Sequence, residues 1–261
     1  MLRYTSAFLP RLTMALPFPR PSKLPQGFTM TRCTPADLQG MTDAFMDAFS
    51  NSEFTYWWGP IEVMRSWHEE RIQRRFVNPN TQQFKVVDDK TGVIVAWAKW
   101  DPPARMAGLR EGFTVYDEAG QPVSTSDNLK SQSEDEGEED TGESLALGAP
   151  AGSDVELFKE FFDGLVSMEN KYQASERLVL THLCTRRSYH GRGLGAALLY
   201  PVLEIADKEG LTAYLEATQA GLKLYQNLGF ETVDKLEFHH SKPRIPTPTT
   251  LQIMLREPRA L

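Results

Sequence analysis

Three glycines at alternate positions, Gly191, Gly193 and Gly195, lie between an apolar run that ends near Thr185 and an apolar helical segment. Glycine adopts positive φ angles without strain and lets the backbone approach a ligand closely. A helix that begins at such a turn points unpaired N–H groups outward, and its dipole favours an anion. The turn therefore predicts a site at which backbone amides bind a phosphate or pyrophosphate group.

The spacing of these glycines limits the kind of phosphate site. A P-loop requires a lysine followed by serine or threonine after its last glycine, and no such lysine follows Gly195. A dinucleotide-binding fold requires Gly-x-Gly-x-x-Gly, whereas this chain has Gly-x-Gly-x-Gly. A nucleotide- or dinucleotide-binding enzyme stays an alternative, as does an ordinary tight turn between a strand and a helix.

The segment resembles motif A of the GNAT N-acetyltransferase superfamily, in which a strand ending in a Leu-Ala-Val-like run precedes the glycine turn. Here Leu183-Cys184-Thr185 occupies the run, and residues 190–195 occupy the turn. Residues 224–230, Leu-Tyr-Gln-Asn-Leu-Gly-Phe, match a second signature of the family. Two motifs in the right order are more specific than either alone. The resemblance covers residues 28–256 apart from an insertion.

This resemblance implies an α/β (α+β) fold. Its central mixed, mostly antiparallel sheet has about six or seven strands, is flanked by helices and contains a splayed parallel pair at the acetyl-CoA site. Hydrophobic periodicity and turn signals place the elements along the chain. The predicted strands are 28–33, 84–87, 93–100, 178–185, 213–217, 230–233 and 251–255, and the predicted helices are 35–49, 61–77, 154–174, 194–208 and 221–228.

The family resemblance also implies the co-substrate, acetyl-CoA, and direct attack of a primary amine on its acetyl group within a ternary complex. Residues assigned to the pantetheine arm are Leu183, Cys184 and Thr185, and those assigned to the pyrophosphate are His190, Gly191, Arg192, Gly193, Leu194, Gly195 and Ala196. No His/Cys cluster has metal-ligand spacing, so no metal is expected. The acceptor is expected to be a small molecule or a peptide.

Tyr225 matches the tyrosine that protonates the departing thiolate in the family, and a phenol can act as a general acid. The usual base positions fall on Val179 and Thr181, which carry no basic group. His182 and Glu216 are the two candidate bases, with a water chain or a neutral incoming amine as further alternatives. Strict alternation along the strand would point His182 to the opposite face from Thr181.

Several residues depart from the family pattern or lie where the acceptor is expected. His190 replaces the usual Gln or Arg, Pro201 predicts a kink in the motif A helix, and Cys184 is interpreted as a small core thiol. Tyr56, Trp57, Trp58 and Trp67 are candidates for lining an apolar acceptor slot, although aromatic side chains at such positions more often belong to the core. Asp47 or Glu53 is the candidate carboxylate for attracting an ammonium.

The charge of the chain is concentrated in one run. The net charge is −7, and residues 134–143 hold seven acids and no base, so the remainder is formally neutral. Without a basic stripe, nucleic acid is not an expected partner. The acidic run predicts a disordered middle, about 120–153, of an insertion at 101–153. A basic partner for this loop, in a CoA-binding interaction protein that lacks a base, is the alternative function.

The first 36 residues contain no acid, as in transit peptides, whereas the prolines from Pro10 to Pro25 oppose an amphipathic helix. Residues 1–26 are therefore predicted to be a disordered extension and 27–258 a single acetyltransferase domain. No apolar run reaches the roughly 18 residues that span a bilayer, so no membrane partner is expected. Two cysteines, Cys33 and Cys184, indicate reduced thiols and a cytoplasmic protein, with mitochondrial import as an alternative.

Overall fold

The computed structural model describes residues 15–123, 144–145, 147–238 and 249–259. Its strands are β1 (Phe28–Arg32), β2 (Gln82–Asp88), β3 (Ile94–Asp101), β4 (Leu178–Thr185), β5 (Ala213–Ala217), β6 (Glu231–Phe238) and β7 (Thr249–Arg256). Its helices are α1 (Leu38–Phe49), α2 (Ile61–Arg74), α3 (Val155–Lys171), α4 (Leu194–Lys208) and α5 (Leu222–Asn227). The strands form one seven-stranded sheet in the order β1-β2-β3-β4-β5-β7-β6.

Neighbouring strands are antiparallel except β4 and β5, which are parallel. These two strands pair only at Leu178 with Ala213 and Val179 with Tyr214. Beyond that point β4 continues to Thr185 and β5 to Ala217, and the two strands diverge. The mixed sheet with its splayed parallel pair confirms the predicted fold class.

The two faces of the sheet are covered by different helices. Helix α4 packs on one face, where Leu198 and Val202 join Ala98, Trp100 and Leu180 in the largest buried cluster. Helices α1, α2 and α3 cover the other face with clusters rich in aromatic side chains, among them Phe45, Trp97, Trp67 and Phe158. No helix among the described residues is long and apolar enough to cross a membrane.

Local signals in the sequence explain where several elements begin and end. Thr34 and Asp37 form a capping box, but residues Pro35–Asp37 form a 3-10 turn, so α1 begins at Leu38 rather than at 35. Helix α2 ends at Arg74 rather than at 77, and α4 runs through Pro201. Strand β6 continues to Phe238, beyond the predicted end at 233. Its second half carries Asp234, Lys235 and Glu237, so the sequence pattern did not indicate a strand there, although charged side chains are common on an edge strand.

The predicted disordered extension is partly ordered. Leu24 is buried in the main cluster, and the ring of Phe18 lies 5.3 Å from that of Phe84. The guanidinium of Arg32 donates to the carbonyl of Ala15 at 3.1 Å. Residues 15–26 therefore pack on the sheet, contrary to the prediction, because their apolar side chains cover an otherwise open edge of the core. Residues 1–14 lie outside the described ranges.

The end of the predicted disordered insertion is also ordered. Trp67 Nε1 donates to the Gly148 carbonyl at 3.1 Å, and the Gly59 amide donates to Ser153 Oγ at 3.1 Å. Residues 148–153 therefore pack beside α2, contrary to the prediction. The acidic run at 134–143 lies outside the described residues, so its disorder stays a prediction.

Candidate active site

The glycine turn at the start of α4 has the predicted backbone conformation. Gly191 and Gly193 have φ angles of +74° and +79°, which side-chain-bearing residues rarely adopt. The amide of Ala197 donates to the carbonyl of Gly193 at 3.0 Å and starts the helix. The amides of residues 194–196 precede that bond, so the helix itself offers them no acceptor. These amides can bind an anion.

The three glycines have two different roles. A Cβ atom added to Gly191 or Gly193 would meet nothing within 4 Å, so the turn is open on that side. A Cβ atom on Gly195 would lie 3.2 Å from Leu224 Cδ2 and 3.6 Å from Leu183 Cδ2. Gly195 therefore permits close packing of α4 against β4 and α5, whereas the first two glycines shape the surface of the turn.

Side chains around the turn hold it in place. His190 Nε2 lies 2.8 Å from the carbonyl oxygen of Thr185, so its N–H donates to the end of β4. Tyr189 donates its hydroxyl to Asp88 Oδ2 at 2.8 Å. The Arg192 guanidinium lies 4.6 Å from the centre of the Tyr189 ring and adds a positive charge beside the turn. Residues 190–193 of the predicted pyrophosphate site are therefore exposed in one turn, whereas the side chain of Leu194 is only 1% exposed and belongs to the main core cluster, so Leu194 offers its backbone amide alone.

A bulge in β4 changes the direction of His182. Lys99 of β3 pairs with His182, whereas the next residue, Trp100, pairs with Leu180, so Thr181 is the extra residue. Directly paired residues share a face of the sheet, so Leu180 and His182 face opposite sides. The prediction that His182 faces away from Thr181 assumed strict alternation, and the bulge breaks that alternation. His182 shares its face with Trp97, and the two rings stack at 5.9 Å.

A buried polar cluster anchors this bulge. The hydroxyl of Thr181 donates to Asp101 Oδ2 at 2.5 Å, and Thr81 donates to Asp101 Oδ1 at 2.9 Å. Lys99, only 1% exposed, forms an ion pair with the same carboxylate. Because a buried charge is costly without a partner, this arrangement fixes Asp101 and the bulge together.

The candidate catalytic residues line one cavity of about 200 Å³. It lies where β4 and β5 diverge, and Thr181, His182, Glu216, Thr218 and Tyr225 contribute to its wall. The structure thus brings together the candidate acid on α5 and both candidate bases, from three elements that are separate in sequence.

Tyr225 lines the cavity and is buried. Its ring packs edge-on against Phe230 at 6.0 Å and covers Gly221, where a Cβ atom would lie 2.6 Å from Tyr225 Cε2. Burial raises the pKa of Tyr225 well above its usual value near 10. The phenol therefore keeps its proton throughout the physiological range, as a proton donor must.

The two candidate bases differ in their neighbours. Glu216 Oε1 accepts a hydrogen bond of 2.5 Å from the hydroxyl of Tyr214, which is fully buried and orients the carboxylate. His182 Nε2 lies 3.4 Å from Nη2 of the buried Arg75. Guanidinium groups only donate, so this contact uses a lone pair that His182 would need as a base. The geometry favours Glu216.

The aromatic residues predicted near the acceptor are divided between the cavity and the core behind it. Trp57 and Trp58 line the cavity, whereas Tyr56 and Trp67 are not among its lining residues. The Trp67 ring packs behind Trp57 at 5.9 Å. Neither predicted carboxylate lines the cavity: Asp47 accepts from the amide of Arg187 at 2.7 Å, and Glu53 is exposed at the start of the 3-10 turn whose later residues Phe54, Thr55 and Trp57 do line it.

Sequence reasoning missed the other charged groups in the wall, Arg71 and Glu169. Both are buried, Arg71 on α2 and Glu169 on α3. The apolar face of α3 runs through Phe158, Phe162 and Leu165 with helical spacing, and Glu169 continues that face. A carboxylate on an apolar helix face was the signal that could have identified it.

Both cysteines are buried free thiols in one cluster on the α1 side of the sheet. Burial raises the pKa of the Cys184 thiol, which supports its interpretation as a core residue rather than a nucleophile. Among the residues that the structure describes, no group of three His, Cys, Asp or Glu side chains could hold a metal ion.

Residues 158–230 match the model of the acetyltransferase (GNAT) family. The matched segment extends from α3 to the start of β6 and includes the glycine turn, both candidate bases and Tyr225. No curated protein sequence gives a significant match to this chain.

Solved structures share the fold. One is a Corynebacterium glutamicum protein described as histone acetyltransferase HPA2 and related acetyltransferase, with TM-score 0.51 and 20% identity, covering 90% of this chain and 99% of that one. Another is a mosquito arylalkylamine N-acetyltransferase like 5b, with TM-score 0.53 and 10% identity, covering 88% of this chain and 99% of that one. At these identities the likeness establishes the fold alone.

Proposed function

We propose that this chain, whose residues 158–230 match the acetyltransferase (GNAT) family, transfers the acetyl group of acetyl-CoA to a primary amine. The observation that carries this proposal is the cleft between β4 and β5. The glycine turn leads from β4 into the first residues of α4. Tyr225 and Glu216 line the cavity where β4 and β5 diverge.

The residues of the cleft fit the chemistry of acetyl-CoA. The amides of residues 194–196, which have no acceptor within the helix, and the Arg192 guanidinium suit a pyrophosphate, which carries negative charge. The Leu183–Thr185 end of β4 extends past its paired region with β5, so its backbone groups suit the amides of the pantetheine arm. When bound, acetyl-CoA supplies a thioester whose carbonyl carbon is the electrophile.

Two side chains carry the protons in this proposal. The amine nitrogen forms a bond to the carbonyl carbon as the carbon–sulfur bond breaks. Glu216 accepts a proton from the ammonium, which frees the attacking lone pair, and His182 is the second candidate for this role. Tyr225 donates its proton to the departing sulfur. The nitrogen loses two protons, the sulfur gains one, and one proton leaves to solvent.

A pair of glycine substitutions tests the donor site. Gly193 and Gly210 bracket α4, both have positive φ, and a Cβ at either would meet nothing within 4 Å. Tryptophan therefore imposes similar backbone strain at both positions, but only Gly193→Trp obstructs the turn. We expect Gly193→Trp to abolish acetyl-CoA binding in calorimetry and Gly210→Trp to preserve it.

The outcomes separate the competing functions. Unchanged acetyl-CoA affinity in Gly193→Trp, with a native circular dichroism spectrum, would contradict the assigned donor site. Binding of acetyl-CoA by the wild-type protein without thiol release across a broad amine panel would favour a CoA-binding interaction protein. Binding of NAD or ATP in place of acetyl-CoA would favour the nucleotide-binding alternative.

A further inference from the structure

The cavity beside the acetyl-transfer residues has an interlocked aromatic wall. We use "aromatic wall" for Phe49, Phe54, Trp57, Trp58, Phe161 and Phe162, all of which line the cavity. Trp57 is the centre of this wall: its ring lies 6.1 Å from Trp58, 6.1 Å from Phe161 and 5.8 Å from Phe162. Because these rings hold one another in place, the wall is preformed and needs little ordering when a ligand binds.

The volume of the cavity limits the size of its occupant. A dry cavity of about 150 Å³ lined by Leu, Ile and Phe holds a benzene molecule. At about 200 Å³, this cavity accommodates one ring with a short chain. An extended peptide would have to leave most of its length outside and would gain little from the aromatic wall.

Charged side chains also line the cavity, and they bear on which polar group of an acceptor can bind there. The carboxylates that line the cavity are Glu169 and Glu216, and the guanidinium is that of Arg71. Arg71 lies over the Trp67 ring at 4.6 Å, and it is only 6% exposed. A second guanidinium, that of Arg75, lies 3.4 Å from the cavity-lining His182, so carboxylates and guanidiniums are equal in number around the cavity. The group that suits an ammonium is Glu216, whose carboxylate lines the cavity together with Tyr225.

We propose that the acceptor is a compact primary amine whose body is an aromatic ring on a short alkyl chain. The ring packs against the aromatic wall, and the ammonium points to Glu216 beside Tyr225. This inference rests on the proposed function and names its substrate class. Trp58 is then a specificity-determining residue, because it lines the cavity and is only partly buried.

The test measures thiol release from acetyl-CoA with a matched panel of amines. The panel contains 2-phenylethylamine, a linear alkylamine of equal carbon number, spermidine, a lysine-containing peptide and phenylalanine. We expect 2-phenylethylamine to have a kcat/KM about tenfold or more above every other member. Phenylalanine differs from it by a carboxylate alone and isolates the effect of charge.

Two variants test the wall. Trp58→Leu should lower kcat/KM for 2-phenylethylamine about tenfold and leave the acetyl-CoA affinity unchanged. Phe113→Leu, a half-buried aromatic outside the cavity, should change neither quantity. If Trp58→Leu does not fold, tryptophan fluorescence of the wild-type protein with CoA bound reports 2-phenylethylamine binding directly.

The same measurements distinguish a wrong substrate class from the absence of acetyltransferase activity. Preferred acetylation of the peptide or of spermidine, or equal rates with all amines, overturns the substrate class and leaves the acetyltransferase intact. No fluorescence change on addition of 2-phenylethylamine also overturns the substrate class. No acetyl-CoA binding, or no transfer to any amine, overturns the proposed function and the inference with it.

Discussion

At the scale of single residues, the cavity contains Tyr225, the candidate acid, which keeps its proton, and Glu216, a candidate base whose carboxylate is oriented. Tyr225 is held by Phe230 and Gly221, and its pKa is raised because it is buried. Glu216 is oriented by the hydroxyl of Tyr214. Such preorganisation means that little reorganisation is needed when the reaction occurs.

Tyr225→Phe should lower kcat about a hundredfold and leave the acetyl-CoA dissociation constant unchanged, since only the proton donor is lost. Because the pKa of Tyr225 is raised, kcat of the wild-type enzyme should not fall up to about pH 9.5. Steady-state kinetics and calorimetry check both points. Tyr116→Phe, outside the cavity, is the matched control, and full activity of Tyr225→Phe would remove the acid role.

The two candidate bases can be separated by their pH profiles. Glu216→Gln should lower kcat about a hundredfold near neutral pH, and activity should recover at high pH because the amine then arrives neutral. His182→Asn should have a smaller effect, since Arg75 already contacts its Nε2 atom. A larger loss in His182→Asn, with a pH profile that differs from that of Glu216→Gln, would assign the base to His182 instead.

At the scale of elements, the bulge in β4 and the ordered N-terminal segment both depend on partners far away in sequence. The bulge is anchored by Asp101 of β3, and it turns His182 toward the cavity. Residues 15–26 contribute Leu24 to the main core cluster, together with Phe84 of β2 and Leu198 of α4. Neither feature has a local pattern in the sequence.

The N-terminal segment should therefore contribute to stability. Leu24→Ala removes a buried side chain and should lower the free energy of unfolding by about 2 kcal/mol. Gln26→Ala, two residues away and exposed, should change it little. Urea denaturation followed by circular dichroism measures both, and equal stability of Leu24→Ala and the wild type would show that the segment does not pack as described.

At the scale of the whole molecule, the C-terminal strand is tied to the helix that carries the glycine turn. Arg256 on β7 forms two hydrogen bonds of 2.7 Å with Asp207 on α4, and Arg256 is 4% exposed. Burial acts to raise the pKa of Asp207, but the hydrogen bonds and charges of Arg256 and Arg259 lower it overall. This pair therefore links β7 to the helix that packs against β2, β3 and β4.

The lowered pKa of Asp207 predicts a loss of stability in acid. The stabilisation is present above the unfolded-state pKa of about 3.9 and is lost as pH falls through the lower folded-state pKa. Asp207→Asn should cost about 3 kcal/mol at pH 7, because Arg256 stays buried without its carboxylate. Denaturation at pH 7 and about pH 3 should show the difference from the wild type shrinking in acid; a constant difference would contradict the assigned linkage.

The sequence by itself indicated the fold class through its resemblance to the GNAT family, and it located the strand that leads into the turn and the candidate acid. The strand, the turn and the candidate acid follow from local patterns: periodicity over β4, glycines that permit positive φ, and the motif around Tyr225. The backbone freedom of a glycine and the spacing of apolar residues both concern only a few neighbouring residues, so they can be recognised directly in the sequence.

The tertiary structure alone decided what surrounds the reacting groups. It turned His182 to the face opposite Leu180 through a bulge anchored by Asp101, and it placed Arg75 beside His182. It also assembled the wall of the cavity from α1, α2, α3 and the 52–58 loop, and packed residues 15–26 on the core. Each of these depends on contacts between segments distant in the chain, which local spacing does not encode.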